Sequence, residues 1–114
     1  MTRQELAKKA VEFVDQNSNS ALSDTQIRKY LEIVQRSECY EEFQVYVKYQ
    51  VGRERNDDVI RFLESILQYL DKNVGNMQNY REEIAYLFGN MARYKKYVDS
   101  KNRQPQNQGR GRRR

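Results

Sequence analysis

The chain has 114 residues and a formal net charge of +5, and it contains no His and a single Cys. Without His, a Ser–His–Asp triad, a Cys–His pair and the common zinc sites are excluded, and the lone Cys39 excludes an intrachain disulfide. The excess charge lies entirely in residues 100–114, because residues 1–99 carry 15 basic and 16 acidic side chains. The basic pI alone therefore does not indicate a basic globular surface.

The first two predicted helices are amphipathic. The first spans about residues 3–15, with apolar side chains at helical spacing. A polar loop at 17–20 separates it from the second helix, which begins at Ser23. Ser23 and Gln26 have the spacing of a capping box, in which each side chain bonds the other's backbone N–H. The apolar stripes are Leu6, Ala10, Phe13 and Val14 in the first helix, and Ile27, Leu31 and Val34 in the second.

The third segment, from Tyr40 to about Arg55, fits two patterns. Phe43, Val45, Val47, Tyr49 and Val51 alternate as in a strand, whereas Tyr40, Phe43, Val47 and Val51 fit a helix equally well. The length of the segment and the surrounding helices favour a helix. Val45 and Tyr49 then lie opposite the main stripe, so this helix is either central in the bundle or half of an interface.

The fourth and fifth helices start at polar caps. Asn56 or Asp57 caps the fourth, and Asn79 precedes the fifth. Their inner stripes are Val59, Phe62, Leu63, Ile66, Leu67 and Leu70, then Tyr80, Ile84, Leu87, Met91, Tyr94 and Val98. Beyond Ser100 no apolar residue remains, which predicts disorder. We expect an all-α fold: a compact bundle of about five helices in residues 1–99, with a flexible basic Arg/Gly-rich tail at 100–114.

The composition predicts neither catalysis nor a membrane span. Neighbouring acids such as Glu41 and Glu42 point about 100° apart on a helix, so they do not converge on a metal or a substrate. No Gly-rich phosphate loop is present. We expect no enzyme activity, no metal and no cofactor. No apolar run of about 18 residues and no apolar leader occurs, which together with the lone Cys predicts a cytoplasmic protein.

Basic side chains with few acids nearby predict which surfaces of the bundle can attract an anionic ligand such as RNA. One acid, Glu32, is within helical reach of Arg28, Lys29 and Arg36. No acid lies three or four residues from Lys48, Arg81 or Arg93. The RNA-binding candidates are Arg28, Lys29, Arg36, Lys48, Arg53, Arg55, Arg61, Arg81 and Arg93 in the bundle, with Arg110, Arg112, Arg113 and Arg114 in the tail. The tail resembles an arginine-glycine arm that binds phosphates by charge; alternatively, it only confers solubility.

Exposed aromatic and apolar residues are candidates for protein contact. Tyr86, Arg93 and Tyr97 share one side of the fifth helix, where two Tyr flanking an Arg contact a neighbouring subunit, clamp a single strand, or form ordinary exposed surface. Ile33 joins Lys29 on the outer side of the second helix. The interface candidates are Ile33, Val45, Tyr49, Tyr86 and Tyr97.

Several segments together resemble the small subunit of type III-A CRISPR–Cas effector (Csm) complexes. Residues 22–29, Leu-Ser-Asp-Thr-Gln-Ile-Arg-Lys, are similar to that family's helix start L-T-T-S-x-[IL]-R-x, and residues 49–54, Tyr-Gln-Val-Gly-Arg-Glu, to its Y-x-x-G-R-E. Residues 62–67 and the aromatic-rich 80–97 are similar to its following helices. The chain departs from the family in a short stretch between Arg36 and Phe43, a more polar final helix and the arginine tail. A related type III small subunit fits as well.

The resemblance implies a non-catalytic all-α subunit in antiviral defence. Its copies stack beside the backbone subunits, near the large subunit, and contact the CRISPR RNA and target RNA without reading sequence. It implies that Arg28, Lys29 and Arg53 contact RNA; alternatively, Arg53 caps carbonyls or pairs with Asp57. Tyr49 is expected to pack, and Gly52 to meet a backbone requirement at a helix end or a close contact. The alternative function is a helical protein–protein adaptor with a solubilising tail and no RNA role.

Overall fold

The computed structural model describes residues 1–17 and 22–108, with side chains described as far as residue 101. Within this part the chain forms five α-helices and one 3₁₀ turn, with no β-strand. The helices are α1 (Arg3–Gln16), α2 (Asp24–Arg36), α3 (Tyr40–Arg53), α4 (Asp57–Asn73) and α5 (Tyr80–Gln108), and the turn is Val74–Asn76. The predicted all-α bundle is confirmed, and the third segment is a helix.

Local capping sets where the helices begin. The predicted box at α2 is present, with Ser23 Oγ accepting from the Gln26 N–H at 3.2 Å and Gln26 Oε1 from the Ser23 N–H at 2.9 Å. Thr2 and Glu5 form a second capping box at α1. Asn56, rather than Asp57, caps α4, because its side-chain oxygen accepts the N–H groups at the start of that helix.

Helix α5 packs mainly against α1 and α2, while α3 pairs with α4. The axes of α2 and α5 come close, since a Cβ built on Gly89 would lie 3.3 Å from Leu31 Cδ1. Phe88 of α5 joins the two groups of helices: its ring centroid lies 5.7 Å from that of Tyr30 in α2 and 5.9 Å from that of Phe43 in α3. Phe88 thus connects α5 to both α2 and α3.

The predicted stripes of α1 and α4 are fully buried, and those of the other helices are buried in part. Leu31 and Val51 are only half-buried. In α5 the core also includes Ala85, Phe88 and Ala92, which a single stripe omits because this helix packs against neighbours on more than one side. Gly52 differs from the prediction: its φ is not left-handed, and a Cβ there would meet nothing within 4 Å. No backbone requirement or close contact demands glycine at that position.

The backbone of α5 continues to Gln108. The first part of the segment predicted as a tail therefore extends this helix, and residue 100 does not mark its end. The tail candidates Arg110, Arg112, Arg113 and Arg114 lie outside the described residues.

Candidate nucleic-acid interface

Two concavities lie between α2 and α3, and Tyr46 contributes to both. The first is lined by Leu22, Gln26, Lys29, Tyr30, Tyr46, Gln50, Arg53 and Glu54. The second is lined by Ile33, Arg36, Ser37, Glu42, Phe43 and Tyr46. The start of α2 thus meets the end of α3, and the end of α2 meets the start of α3, so the two helices are antiparallel. We call the two concavities together the α2–α3 furrow.

Helical periodicity places the furrow's side chains in two facing rows. On α2, residues 29, 33 and 36 follow each other at spacings of four and three, and on α3 residues 46, 50 and 53 do the same. Lys29 and Arg53 line the same end of the furrow, and Arg36 lies about 10 Å along α2 from Lys29. Two of the four segments that resemble the family lie here, since residues 22–29 contribute Lys29 and residues 49–54 contribute Arg53.

The cations of α2 have no carboxylate partner in the described part of the chain. Arg28, Lys29 and Arg36 are exposed, and none of the ion pairs among the described residues involves them or Glu32. Arg53 lies over the Tyr49 ring, 5.4 Å from its centroid. Within the described residues Arg53 forms neither the carbonyl cap nor the pair with Asp57 that the sequence allows. This end of the furrow is therefore lined by two cations, Lys29 and Arg53, and one carboxylate, Glu54.

The first concavity combines aromatic and amide groups in a volume of about 290 Å³. Gln26 is held in place, since its Oε1 accepts from the Ser23 N–H at 2.9 Å. Tyr46 meets the Tyr30 ring edge-on, with the centroids 5.9 Å apart. Burial, followed by the charges of Tyr46 and Glu54, raises the pKa of the Tyr30 phenol. The Tyr30 hydroxyl therefore remains a neutral donor and acceptor throughout the physiological range.

The other basic candidates of α3 and α4 lie outside the furrow. Lys48 and Arg53 are about 140° apart around the α3 axis, so Lys48 faces the opposite flank. Arg55 is exposed in the connection between α3 and α4. Arg61 forms a hydrogen-bonded ion pair with Asp58 one turn earlier in α4, which offsets its charge. The structure does not bring these three residues together with the cations of α2.

Arg81 has hydrogen-bond partners within the fold, although none of them is an acid. Its Nε donates to the Ser37 carbonyl at 2.7 Å and its Nη2 to the Glu38 carbonyl at 2.9 Å. Its guanidinium also lies 5.0 Å from the centroid of the Tyr80 ring. Arg81 thus ties the start of α5 to the turn between α2 and α3, so two of its N–H donors are engaged within the fold.

The predicted Tyr86–Arg93–Tyr97 cluster is only partly assembled. Tyr86 and Arg93 share a concavity of about 220 Å³ with Arg3. Tyr86 is half-buried rather than exposed, because the Arg3 guanidinium lies over its ring at 5.0 Å. Tyr97 is 56% exposed, but its ring stacks on that of Tyr94, with the centroids 6.0 Å apart. Arg93 remains exposed, without a Tyr clamp of the kind predicted.

The interface candidates also differ in exposure. Val45 and Tyr49 are 64% and 60% exposed, so α3 is peripheral and its outer face is open. Ile33, expected to be exposed, is half-buried and lines the second concavity of the furrow. Tyr49, expected to pack, instead has its ring beneath Arg53 on the surface.

Sequence pattern alone does not identify the residues that give the furrow its character, which are Tyr30, Tyr46, Gln26 and Gln50. The repeat of spacings four and three at 29, 33, 36 and at 46, 50, 53 is a signal that could have pointed to Tyr46 and Gln50, but it includes neither Gln26 nor Tyr30. That signal becomes specific only when the two helices are known to be antiparallel neighbours.

Comparison with family models, with curated proteins and with solved structures finds no match in any of the three. In the described part of the chain, no helix combines the length and apolar character that crossing a bilayer requires. Within the same residues, no group of three or more His, Cys, Asp or Glu side chains is arranged to hold a metal ion. The geometry of the furrow is therefore the main guide to function.

Proposed function

We propose that the chain is a non-catalytic, RNA-contacting small subunit of a type III CRISPR–Cas ribonucleoprotein, of the Csm type or a close relative. The observation that carries the proposal is that two of the four segments with the family resemblance line one furrow. Residues 22–29 contribute Lys29 and residues 49–54 contribute Arg53 to the same concavity. Two segments separated along the chain thereby supply cations to a single surface.

The binding would be electrostatic and cooperative between copies. Residues 1–99 carry nearly balanced charge, so one copy holds an RNA strand weakly, and several copies stacked beside the backbone subunits together retain it. Lysine and arginine contacts to phosphates carry no sequence information, which base pairing to the CRISPR RNA supplies instead. Partners under this proposal are the CRISPR RNA and target RNA, the large and backbone subunits, and further copies of the chain, in the cytoplasm.

Charge reversal in the furrow tests the proposal. Lys29→Glu with Arg53→Glu should weaken binding of a short single-stranded RNA at least tenfold. It should also reduce the slope of log affinity against log salt by roughly 0.7 for each phosphate that is no longer neutralised. The matched control is Lys8→Glu with Lys96→Glu, which makes the same change in net charge at exposed sites on α1 and α5. Fluorescence anisotropy over a salt series measures both variants.

The same pair of variants tests the assembled complex. The furrow variant should assemble with the backbone subunits while retaining less target RNA, and the control variant should behave as the unmodified chain does. Equal losses in both variants would attribute binding to overall charge alone. Failed assembly with unchanged RNA affinity would contradict the RNA-contacting role.

The arginine tail has its own test. Replacing Arg110, Arg112, Arg113 and Arg114 by Gln leaves the bundle and α5 intact. If the tail binds phosphates, the salt slope should fall by up to about 3, at roughly 0.7 for each phosphate that the tail neutralises. Unchanged affinity and slope would support the solubilising role instead.

A second candidate function, the protein–protein adaptor, is favoured by the open outer face of α3. Val45 and Tyr49 are adjacent on that face and more than half exposed, and exposed apolar and aromatic pairs are common in interfaces. Val45→Asp, which leaves the Tyr49 ring beneath Arg53 in place, should abolish subunit association under this function without changing the RNA affinity of the free chain. Association that survives this substitution would exclude this face as the adaptor surface.

A further inference from the structure

The first concavity of the furrow is lined by a buried tyrosine, Tyr30, whose hydroxyl has no hydrogen-bond partner among the described residues. Tyr30 is 6% exposed, and no described residue forms a hydrogen bond with its hydroxyl. Buried polar groups in folded proteins are nearly always hydrogen-bonded, and each exception calls for an explanation. By contrast, the Tyr40 hydroxyl donates to Asp71 at 2.5 Å, and the Tyr80 hydroxyl lies 2.9 Å from Ser37 Oγ.

The Tyr30 side chain lines this concavity together with the groups that act on its hydroxyl. Ionisation of the phenol is disfavoured by burial and by the charges of Tyr46 and Glu54, and both of these residues line the same concavity. A molecule entering there would meet a phenol able to donate and to accept. Completion of that hydrogen bond by a ligand would remove the cost of leaving it unmade.

The remaining lining matches the edge and face of a nucleobase. Gln50 carries an amide that donates and accepts, whereas Gln26 offers its amide N–H groups because its Oε1 accepts from Ser23. The Glu54 carboxylate has one oxygen left to accept, since its Oε2 accepts the N–H groups of Arg55 and Asn56. The Tyr46 side chain is half-buried at the wall. Proteins bind unstacked bases by aromatic stacking combined with hydrogen bonds to the base edge. The volume of about 290 Å³ lies at the lower limit of small-molecule sites, which suits one base rather than a larger ligand.

Two cations stand beside these groups. Lys29 and Arg53 line the same concavity, and neither forms an ion pair within the part of the chain that the structure describes. A nucleotide needs both kinds of group, because its base is planar and polar at the edge while its phosphate is anionic. Neither the amides nor the cations alone would indicate this class of ligand.

We infer that the first concavity of the α2–α3 furrow is a nucleotide pocket, which takes one unstacked base of an RNA strand against Tyr46, Tyr30, Gln26 and Gln50, with its phosphate at Lys29 and Arg53. The inference rests on the proposed RNA contact and deepens it, since it adds a base contact to a surface otherwise expected to touch only phosphates. It also assigns a role to the Tyr30 hydroxyl, which packing alone does not explain.

Titration of the full chain with mononucleotides tests the pocket directly. The probes are AMP, CMP, GMP and UMP, with ribose 5-phosphate as the ligand that lacks a base, and NMR amide signals of α2 and α3 report binding. At least one nucleotide should bind roughly tenfold more tightly than ribose 5-phosphate, because stacking on an aromatic ring adds to phosphate contact. Equal binding of all five probes would overturn the pocket.

Single-atom variants sharpen the test without disturbing the fold. Tyr30→Phe removes only an unpartnered hydroxyl, so the chain should fold normally, yet nucleotide affinity should fall roughly fivefold. The matched control is Tyr40→Phe, which removes a hydroxyl outside the furrow and should leave nucleotide affinity unchanged. Gln50→Met is a second variant with the same expectation as Tyr30→Phe. Unchanged nucleotide affinity in both furrow variants would overturn the pocket.

A comparison of intact and abasic RNA separates this inference from the proposed function. An oligonucleotide bound equally well with and without its bases would overturn the pocket and leave the phosphate-binding role standing. Mononucleotide binding without any binding of oligonucleotides would support the pocket and remove the proposed role in an RNA complex. Tighter binding of intact RNA, reduced by Tyr30→Phe, would support both.

Discussion

The α2–α3 furrow and the start of α5 contain similar residues but differ in how those residues are engaged. At residues 80–86, Tyr80 and Arg81 bond the Ser37 region, Glu83 binds the amino group of Met1 at 3.1 Å, and Arg3 covers Tyr86. In the furrow, Lys29 and Arg36 have no ion pair among the described residues, and the Tyr30 hydroxyl has no partner there. The start of α5 is therefore structural, whereas the furrow has unused binding capacity.

This difference teaches that residue type does not distinguish a binding surface from a structural one. Both regions carry cations beside tyrosines, and both are accessible from outside. The distinguishing property is whether the polar groups are already satisfied within the fold, because a satisfied group stabilises the chain and an unsatisfied one remains available to a ligand. Substitutions at the start of α5 should accordingly lower the free energy of unfolding, whereas substitutions in the furrow should lower ligand affinity.

The largest expected difference in the free energy of unfolding is between substitutions of Arg81 and of Arg36. Arg81→Ala should lower the free energy of unfolding by about 2 kcal/mol, because it removes two charge-assisted hydrogen bonds that a half-buried side chain donates to carbonyls. The control, Arg36→Ala in the furrow, should change it by less than about 0.5 kcal/mol. Urea unfolding measures both, and equal effects would show that the two cations are engaged alike.

Alkaline pH should destabilise the fold through its buried tyrosines. Burial raises the pKa of Tyr30, and burial with the hydrogen bond to Asp71 raises the pKa of Tyr40, both above the ordinary value of 10.0. Above pH 10 the unfolded chain loses these protons while the folded chain keeps them, so stability falls as the pH rises.

Over the first pH unit above 10 we expect a loss of about 1 kcal/mol for each of these two tyrosines. Below about pH 9 neither contributes a noticeable slope, since both states then keep the phenolic protons. Urea unfolding at a series of pH values measures this loss of stability, and Tyr30→Phe should remove the part of the loss that Tyr30 causes. A slope that is the same in the variant would contradict the assignment to Tyr30.

The hydroxyl groups of Tyr30 and Tyr40 should also differ in what they contribute to stability at neutral pH. Tyr40→Phe should lower the free energy of unfolding by about 1 kcal/mol, because it removes the hydrogen bond to Asp71. Tyr30→Phe should leave stability unchanged or raise it slightly, since it removes a buried hydroxyl without a partner. Thermal unfolding of the two variants side by side gives the comparison, and a large loss in Tyr30→Phe would reveal a partner for that hydroxyl.

The smallest expected contrast is between two helical glycines. Gly52→Ala, at the end of α3 beside the furrow, should stabilise the fold by roughly 0.5–1 kcal/mol, because a methyl group there meets nothing and alanine favours the helix. Gly89→Ala in α5 should give no such gain, since its methyl would lie 3.3 Å from Leu31 Cδ1. An equal gain at both positions would mean that α2 and α5 adjust easily.

Much of the fold follows from local pattern. The Ser23–Gln26 box and the apolar stripes of α1 and α4 are readable because the interacting residues lie within a few positions of each other. The core of α5 is only partly predictable, since Phe88 and Ala92 are buried by neighbours on different sides of the helix. For the same reason the expectation that Ile33 and Tyr86 are exposed is wrong.

The sequence by itself determined that this protein is helical, where its helices begin, and that residues 1–99 are nearly neutral. Only the tertiary structure decided which of its basic residues are engaged. Arg81 donates hydrogen bonds to carbonyls 44 and 43 positions away. Lys29 and Arg53 line one concavity only because α2 and α3 are antiparallel. Contacts of that separation depend on how the helices pack, which short-range spacing does not encode.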